Sequence, residues 1–321
     1  MSLPAALKSR LRLPLIAAPM FLVSGRALVK AACRAGIIGS FPTANCRTVE
    51  ELDGWLVDMN EDLKRAADET GRAPPPLCPN LIVHRSNPRV PDDLAAVLRH
   101  KAEMVITSVG SPEPVLKPLK DAGCLVLADV ASVRHAEKAV AAGVDGLVLL
   151  TAGAGGQTGW VNPFAFVRAV RKFWDGIVVM AGGMADGQAV AAAQALGCDL
   201  AYMGTKFIAT RESLAKESYK EMLVKSRLDD VLLTRAFTGL ETNMLRPSIA
   251  AAGLDPDDLP VRGAIDIAKD INAAERERPD AKRWKDIWSA GHSVSGVSDV
   301  PSVAELVERT AAEYAEASKR G

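Results

Sequence analysis

Residues 151–159, TAGAGGQTG, carry glycine at 153, 155, 156 and 159 around a single amide side chain, Gln157. Glycine loses more conformational freedom on folding than any other residue. A cluster therefore marks positive φ or a backbone that comes close to something bulky. The run directly follows the apolar stretch 146–150, so it reads as a loop wrapping a ligand at the end of a buried strand. Two later loops repeat the placement, Ala-Gly-Gly-Met at 181–184 and Gly-Thr-Lys-Phe at 204–207. Backbone N–H groups freed by glycine, with a helix starting near Asp186, make an anion cradle to which Thr205 can add a hydroxyl. The rival reading is two tight strand-to-helix turns that hold nothing.

Other side chains of chemical interest are few. Met20 ends the first apolar run, where it either meets a ligand or packs in the core. Asn80 interrupts the apolar run 77–83 with an amide that needs a partner, either a ligand or a neighbouring strand. Of the four histidines, His84 follows that run and can face the same mouth, His100 and His135 fall on helical stretches, and His292 lies in a late glycine/serine loop, 290–296. Arg246, in the NMLRPS turn at 243–248, can offer a guanidinium to an anionic substrate, or sit on the surface. Lys206 can neutralise a phosphate or be solvated. The five cysteines are scattered with no CxxC, which suits reduced thiols and excludes a zinc ribbon.

The elements that must position these residues alternate. Short apolar runs at 13–19, 36–40, 77–83, 104–108, 124–130, 146–150, 177–180 and 200–203 are separated by alanine-rich helical stretches. Eight strands alternating with helices predict parallel β-structure closing into a (β/α)8 TIM barrel. An open doubly wound sheet is the alternative, but the loop after the first strand, AAPMF, lacks its glycine fingerprint. In a barrel the chemistry sits at the C-terminal strand ends, with phosphate near strands seven and eight. Those are the positions of the 181–184 and 204–207 loops. After the eighth strand the chain is charge-rich and proline-broken, which predicts a helical, strand-poor insertion over 211–286. Residues 1–210 and 287–321 then form the barrel, and an amphipathic helix from about 302 closes it.

Bulk properties exclude other classes. The 321 residues are 48% apolar and 24% charged, with 39 basic and 39 acidic side chains. That balance gives no field for nucleic acid or an anionic membrane. No run has the length of a signal h-region or a membrane span, so a cytoplasmic protein acting on a small molecule is expected, with homo-oligomerisation left open.

The motifs together resemble one family. APM after the first strand, PNLIV at 79–83, the 151–159 loop, AGGM, MGTKF and the late AG(Q/H) loop are similar, in order, to those of nitronate monooxygenases. Flavin-dependent enoyl reductases and NADH:quinone reductases share the pattern. The resemblance implies non-covalent FMN at the barrel mouth and no metal. Met20, Asn80, Gly155, Gly156, Gln157 and Ala181 would then lie along the flavin, and Gly182, Gly183, Gly204 and Thr205 would hold its phosphate. It implies oxidation of a nitronate with O2, or, on the same fold, reduction or dehydrogenation of an acyl thioester or of a quinone with NAD(P)H. The family usually carries histidine where this chain has Gln157 and glutamine where it has His292. These two are therefore the candidate catalytic residues, with His84 and Arg246 as candidate substrate contacts. Gln157 can hydrogen-bond a nitro or carbonyl oxygen but cannot cycle a proton near neutral pH.

Overall fold

The computed structural model describes residues 3–259 and 286–319. Eight parallel strands, Leu15–Ala17, Ile38–Pro42, Leu77–Ile82, Met104–Ser108, Leu125–Val130, Gly146–Leu150, Ile177–Ala181 and Leu200–Met203, close into a barrel. Closure is direct, Ile16 pairing with Tyr202 and Ala17 with Met203. The first strand is shorter than its apolar run because Pro14 and Pro19, which have no N–H, flank it.

Side-chain alternation along each strand divides the apolar residues into two cores. Ile16, Cys78, Ile106, Leu127, Val148, Val179 and Tyr202 point inward and fill the barrel. Leu15, Leu81, Val105, Val126, Leu147 and Val178 point outward and pack under the surrounding helices. Asp129 continues the inward register of Leu127, one layer nearer the mouth.

The helices are punctuated as their sequences dictate. Val49–Thr70 begins at Thr48, whose hydroxyl accepts from Glu51 N–H, and ends at Gly71 with φ of 68°. The closing helix, Val303–Ala317, opens on a reciprocal Ser302–Glu305 capping box. It packs on the helix Gly187–Leu196, where Gly187 N–H donates to Glu313 at 2.9 Å. A methyl group at Gly187 would collide with Thr310 O and Tyr314 N, backbone atoms that cannot rotate away. Gly187→Ala is thus expected to cost about 2 kcal/mol despite the better helix propensity of alanine, lowering Tm by roughly 5 °C. A thermal melt with unchanged Tm would contradict the packing.

The segment after the eighth strand departs from the helical, strand-poor expectation. It holds helices Glu217–Lys225 and Arg246–Ala251, but also an antiparallel pair, Val231–Thr234 with Thr242–Leu245. The second of these strands pairs with the extension Gly156–Gln157, setting Thr242 opposite Gln157 and Asn243 opposite Gly156. The glycine loop is therefore the third strand of a small sheet. Its partners are too short and too distant in sequence to register as periodic runs. Residues 260–285 of the expected insertion lie outside the described residues. All five cysteines are free and buried, and burial pushes the Cys33, Cys46, Cys124 and Cys198 thiols up to about 12. They are inert packing groups. Among the described residues no cluster of metal-ligating side chains occurs, and no helix is long and apolar enough to cross a membrane.

Candidate active site

A cavity of about 390 Å³ opens at the C-terminal ends of the strands. Met20, Asn80, Gly155, Gly156, Gln157, Ala181, Gly182, Gly183, Gly204 and Thr205 all line it. The C-terminal ends of five barrel strands, with the loops that follow them, thus bring ten residues together. The floor is apolar, with Ala18, Ile82, Leu150 and Tyr202. One outer wall is aromatic: Tyr219 and Trp288 stack with ring centroids 4.8 Å apart and planes 12° apart.

Hydrogen bonds from remote residues fix the loops. Asn45 Nδ2 donates to the carbonyls of Met20 at 3.1 Å and Ser24 at 2.8 Å, while its Oδ1 accepts from Leu22 N–H at 2.8 Å. This holds Leu22 at φ of 60°, a conformation that L-residues rarely adopt. Asn243 Nδ2 donates to Ala154 O at 2.7 Å, and Thr158 Oγ1 to Thr151 O at 3.0 Å. Asn80 is satisfied by the neighbouring strand, its Nδ2 lying 3.1 Å from Ser108 Oγ and 3.3 Å from Ile106 O. Its amide thus has protein partners while still lining the cavity.

The turn after the seventh barrel strand has the positive φ that its glycines suggest. Gly182 and Gly183 have φ of 113° and 73°, and a side chain on Gly183 would meet nothing within 4 Å. Thr205 Oγ1 accepts from Gly291 N–H at 2.9 Å, so its own O–H proton is left to donate elsewhere. Lys206 is not aimed into this space. Its ammonium donates to Gly296 O, and burial lowers its pKa.

Three candidates lie away from the cavity lining. His292 packs against the glycine loop, its backbone N–H donating to Gly153 O at 2.9 Å. A side chain on Gly153 would meet His292 Nδ1 at 2.5 Å, so the glycine makes room for this ring. His84 turns to Ser86, with Nδ1 to Oγ at 2.8 Å. Arg246 pairs with exposed Asp257 at 2.8 Å. His100 is held by Asp53 at 2.8 Å on the outer face of the barrel.

The sequence reading missed Asp129. It lines the cavity, its Oδ1 is enclosed without a hydrogen-bond partner, and burial pushes its carboxyl up to about 8. The signal was present as one acid in the apolar strand LVLADV, in step with inward-facing Leu127. Because the folded pKa exceeds the ordinary value of 3.8, the native state binds this proton more tightly. The associated stability is full below the unfolded pKa and is lost as pH rises towards 8. In the flavin-free protein, Asp129→Asn removes that loss. Its stability relative to wild type is expected to rise between about pH 4 and 8 by up to about 1.4 kcal/mol per pH unit. Denaturant midpoints at pH 5 and pH 8 check this, and a pH-independent difference would refute it.

The chain is similar to known proteins over most of its length. The family model described as nitronate monooxygenase matches residues 5–313. A nitronate monooxygenase of Paraburkholderia phytofirmans is 29% identical over 92% of this chain and 90% of its own length. A hydroxy-methyl-oxo-octahydro-indene-carboxyl-CoA dehydrogenase of Rhodococcus jostii is 25% identical over 89% of this chain and 76% of its own length. The solved structure of a nitroalkane oxidase from Streptomyces ansochromogenes superposes with a TM-score of 0.76 at 26% identity, covering 98% of this chain and 99% of that one. This oxidoreductase belongs to the nitronate monooxygenase family.

Proposed function

We propose that the protein binds FMN in the barrel-mouth cavity and oxidises an alkyl nitronate to a carbonyl compound and nitrite, with O2 as the final acceptor. The observation that carries this is the convergence of a positive-φ Gly182–Gly183 turn, open at Gly183, the Thr205 hydroxyl and an apolar floor in one cavity. Those features fit a phosphate joined to a flat ring. A buried Asp129 oxygen without a partner also fits a ligand with polar ring-edge atoms. Gly182, Gly183, Gly204 and Thr205 would hold the phosphate, with Met20 and Asn80 beside the ring. Bound FMN would supply the two-electron acceptor and the site of reaction with O2.

This chain's own residues do the positioning. Gln157 is held by backbone pairing to Thr242 and would donate its amide N–H to the nitro oxygens, fixing the α-carbon over the ring. Because glutamine is neutral at every working pH, it stabilises charge without moving a proton. Tyr219 and Trp288 cover the outer wall and limit water. His292 would act as a positioning residue for the glycine loop through Gly153. The nitronate is already deprotonated at carbon, so this reaction does not require the histidine that the loop lacks.

A second reading keeps FMN and takes an acyl thioester, favoured by the carboxyl-CoA dehydrogenase among the relatives. Arg246 would then meet the anionic carrier after parting from Asp257. Anaerobic mixing separates the two readings. Nitronate is expected to bleach the flavin absorbance, and NAD(P)H alone is not. Bleaching by NAD(P)H and none by nitronate would overturn the first reading.

A further inference from the structure

We propose that Asp129 contacts the flavin ring and is a proton acceptor coupled to flavin reduction, so that filling the ring with electrons loads this carboxyl with a proton from solvent. The inference rests on the FMN reading above. Asp129 stands in the layer between the inner barrel core and the cavity, pointing inward in register with Leu127. A flat ring lying on the apolar floor of Ala18, Leu150 and Tyr202 would reach it. Its Oδ1 has no protein partner, whereas the deep amide of Asn80 is already satisfied. An enclosed polar atom left without a partner is rare in native structures, and it points to a ligand that completes it.

The groups that face Asp129 leave its charge uncompensated. Tyr202, from the eighth strand, and Cys78, from the third, are the titratable neighbours, and burial holds both neutral. Ser108 and Asn80 add neutral dipoles to the lining. Lys216, further out, is committed to Asp286 at 2.9 Å. Desolvation alone then sets the proton affinity of the acid, with no cation to oppose it.

Two electrons added to the ring raise the electron density beside the carboxyl and disfavour its anionic form. Where the pH leaves Asp129 ionised beside the oxidised ring, it therefore takes up one proton, –COO⁻ plus H⁺ giving –COOH, beyond those the ring itself takes up. The electrons come from the substrate in turnover, or from an electrode in the test. Reciprocity requires that a protonated Asp129 make the flavin easier to reduce.

The test is the midpoint potential of bound FMN across about pH 7 to 10, measured spectroelectrochemically on the holoenzyme. Wild type is expected to show a segment in which the potential falls more steeply than on either side. The added slope is a tenfold change in the reduction equilibrium per pH unit, about 30 mV for a two-electron couple. Asp129→Asn is expected to lose that segment, and Asp129→Glu to keep it at a displaced pH. At high pH the reduced-minus-oxidised infrared spectrum of wild type is expected to gain a protonated-carboxyl C=O band, absent from Asp129→Asn. Flavin-loaded wild type without the steep segment overturns the inference alone, as does an Asp129→Asn profile that retains it. Protein that takes up no flavin overturns both the inference and the functional reading.

Discussion

Replacing Gly183 by aspartate is expected to weaken FMN binding about 10³-fold while leaving the barrel folded. Gly183 has φ of 73°, and a side chain there would enter open space rather than meet a neighbour. Aspartate is among the L-residues that tolerate this conformation, so the backbone cost is about 1 kcal/mol. The new carboxylate would stand where the phosphate is expected. Two like charges about 4 Å apart near a protein surface repel by about 4 kcal/mol, which is roughly 10³ in Kd. Equilibrium dialysis against FMN checks the affinity, and far-ultraviolet circular dichroism checks the fold. Gly183→Asn, which has the same shape without the charge, should lose far less. Equal losses in the two variants would locate the phosphate elsewhere.

Gln157→Ala is expected to lower kcat/KM for a nitronate by about 10- to 100-fold, with FMN still bound. The range corresponds to one hydrogen bond to a charged group, about 1.5–3 kcal/mol. The backbone of Gln157 pairs with Thr242 whatever its side chain, so the loop should keep its shape and the loss should report the amide itself. Gln157→Glu should fall further, because a carboxylate repels the anionic nitro group. Steady-state nitrite release measures both variants. Full activity in the alanine variant would remove Gln157 from the chemistry.

The barrel was legible because its signals are local. Each strand is an apolar run, and each glycine loop at a strand end is a contiguous motif. The ten residues expected along the cofactor could therefore be named from spacing and resemblance, and the structure gathers them in one cavity. What escaped depends on partners distant in the chain. The hairpin partner of Gly156–Gln157 comes from the insertion, and His292 meets Gly153 only because the late loop folds back across it. A glutamine/histidine exchange read along the sequence suggested two side chains entering one site. In three dimensions one lines the cavity and the other braces its wall. Asp129 is a different case, since its inward register could be counted from Leu127. Its isolation could not, because that depends on what Tyr202, Cys78 and Asn80 offer from two other strands.

The proposed chemistry depends most directly on bound flavin. Purified protein, or protein reconstituted with FMN, denatured and assayed for released flavin, is expected to yield about one FMN per chain with a flavin absorbance spectrum before denaturation. Colourless protein that retains no FMN after reconstitution would contradict it.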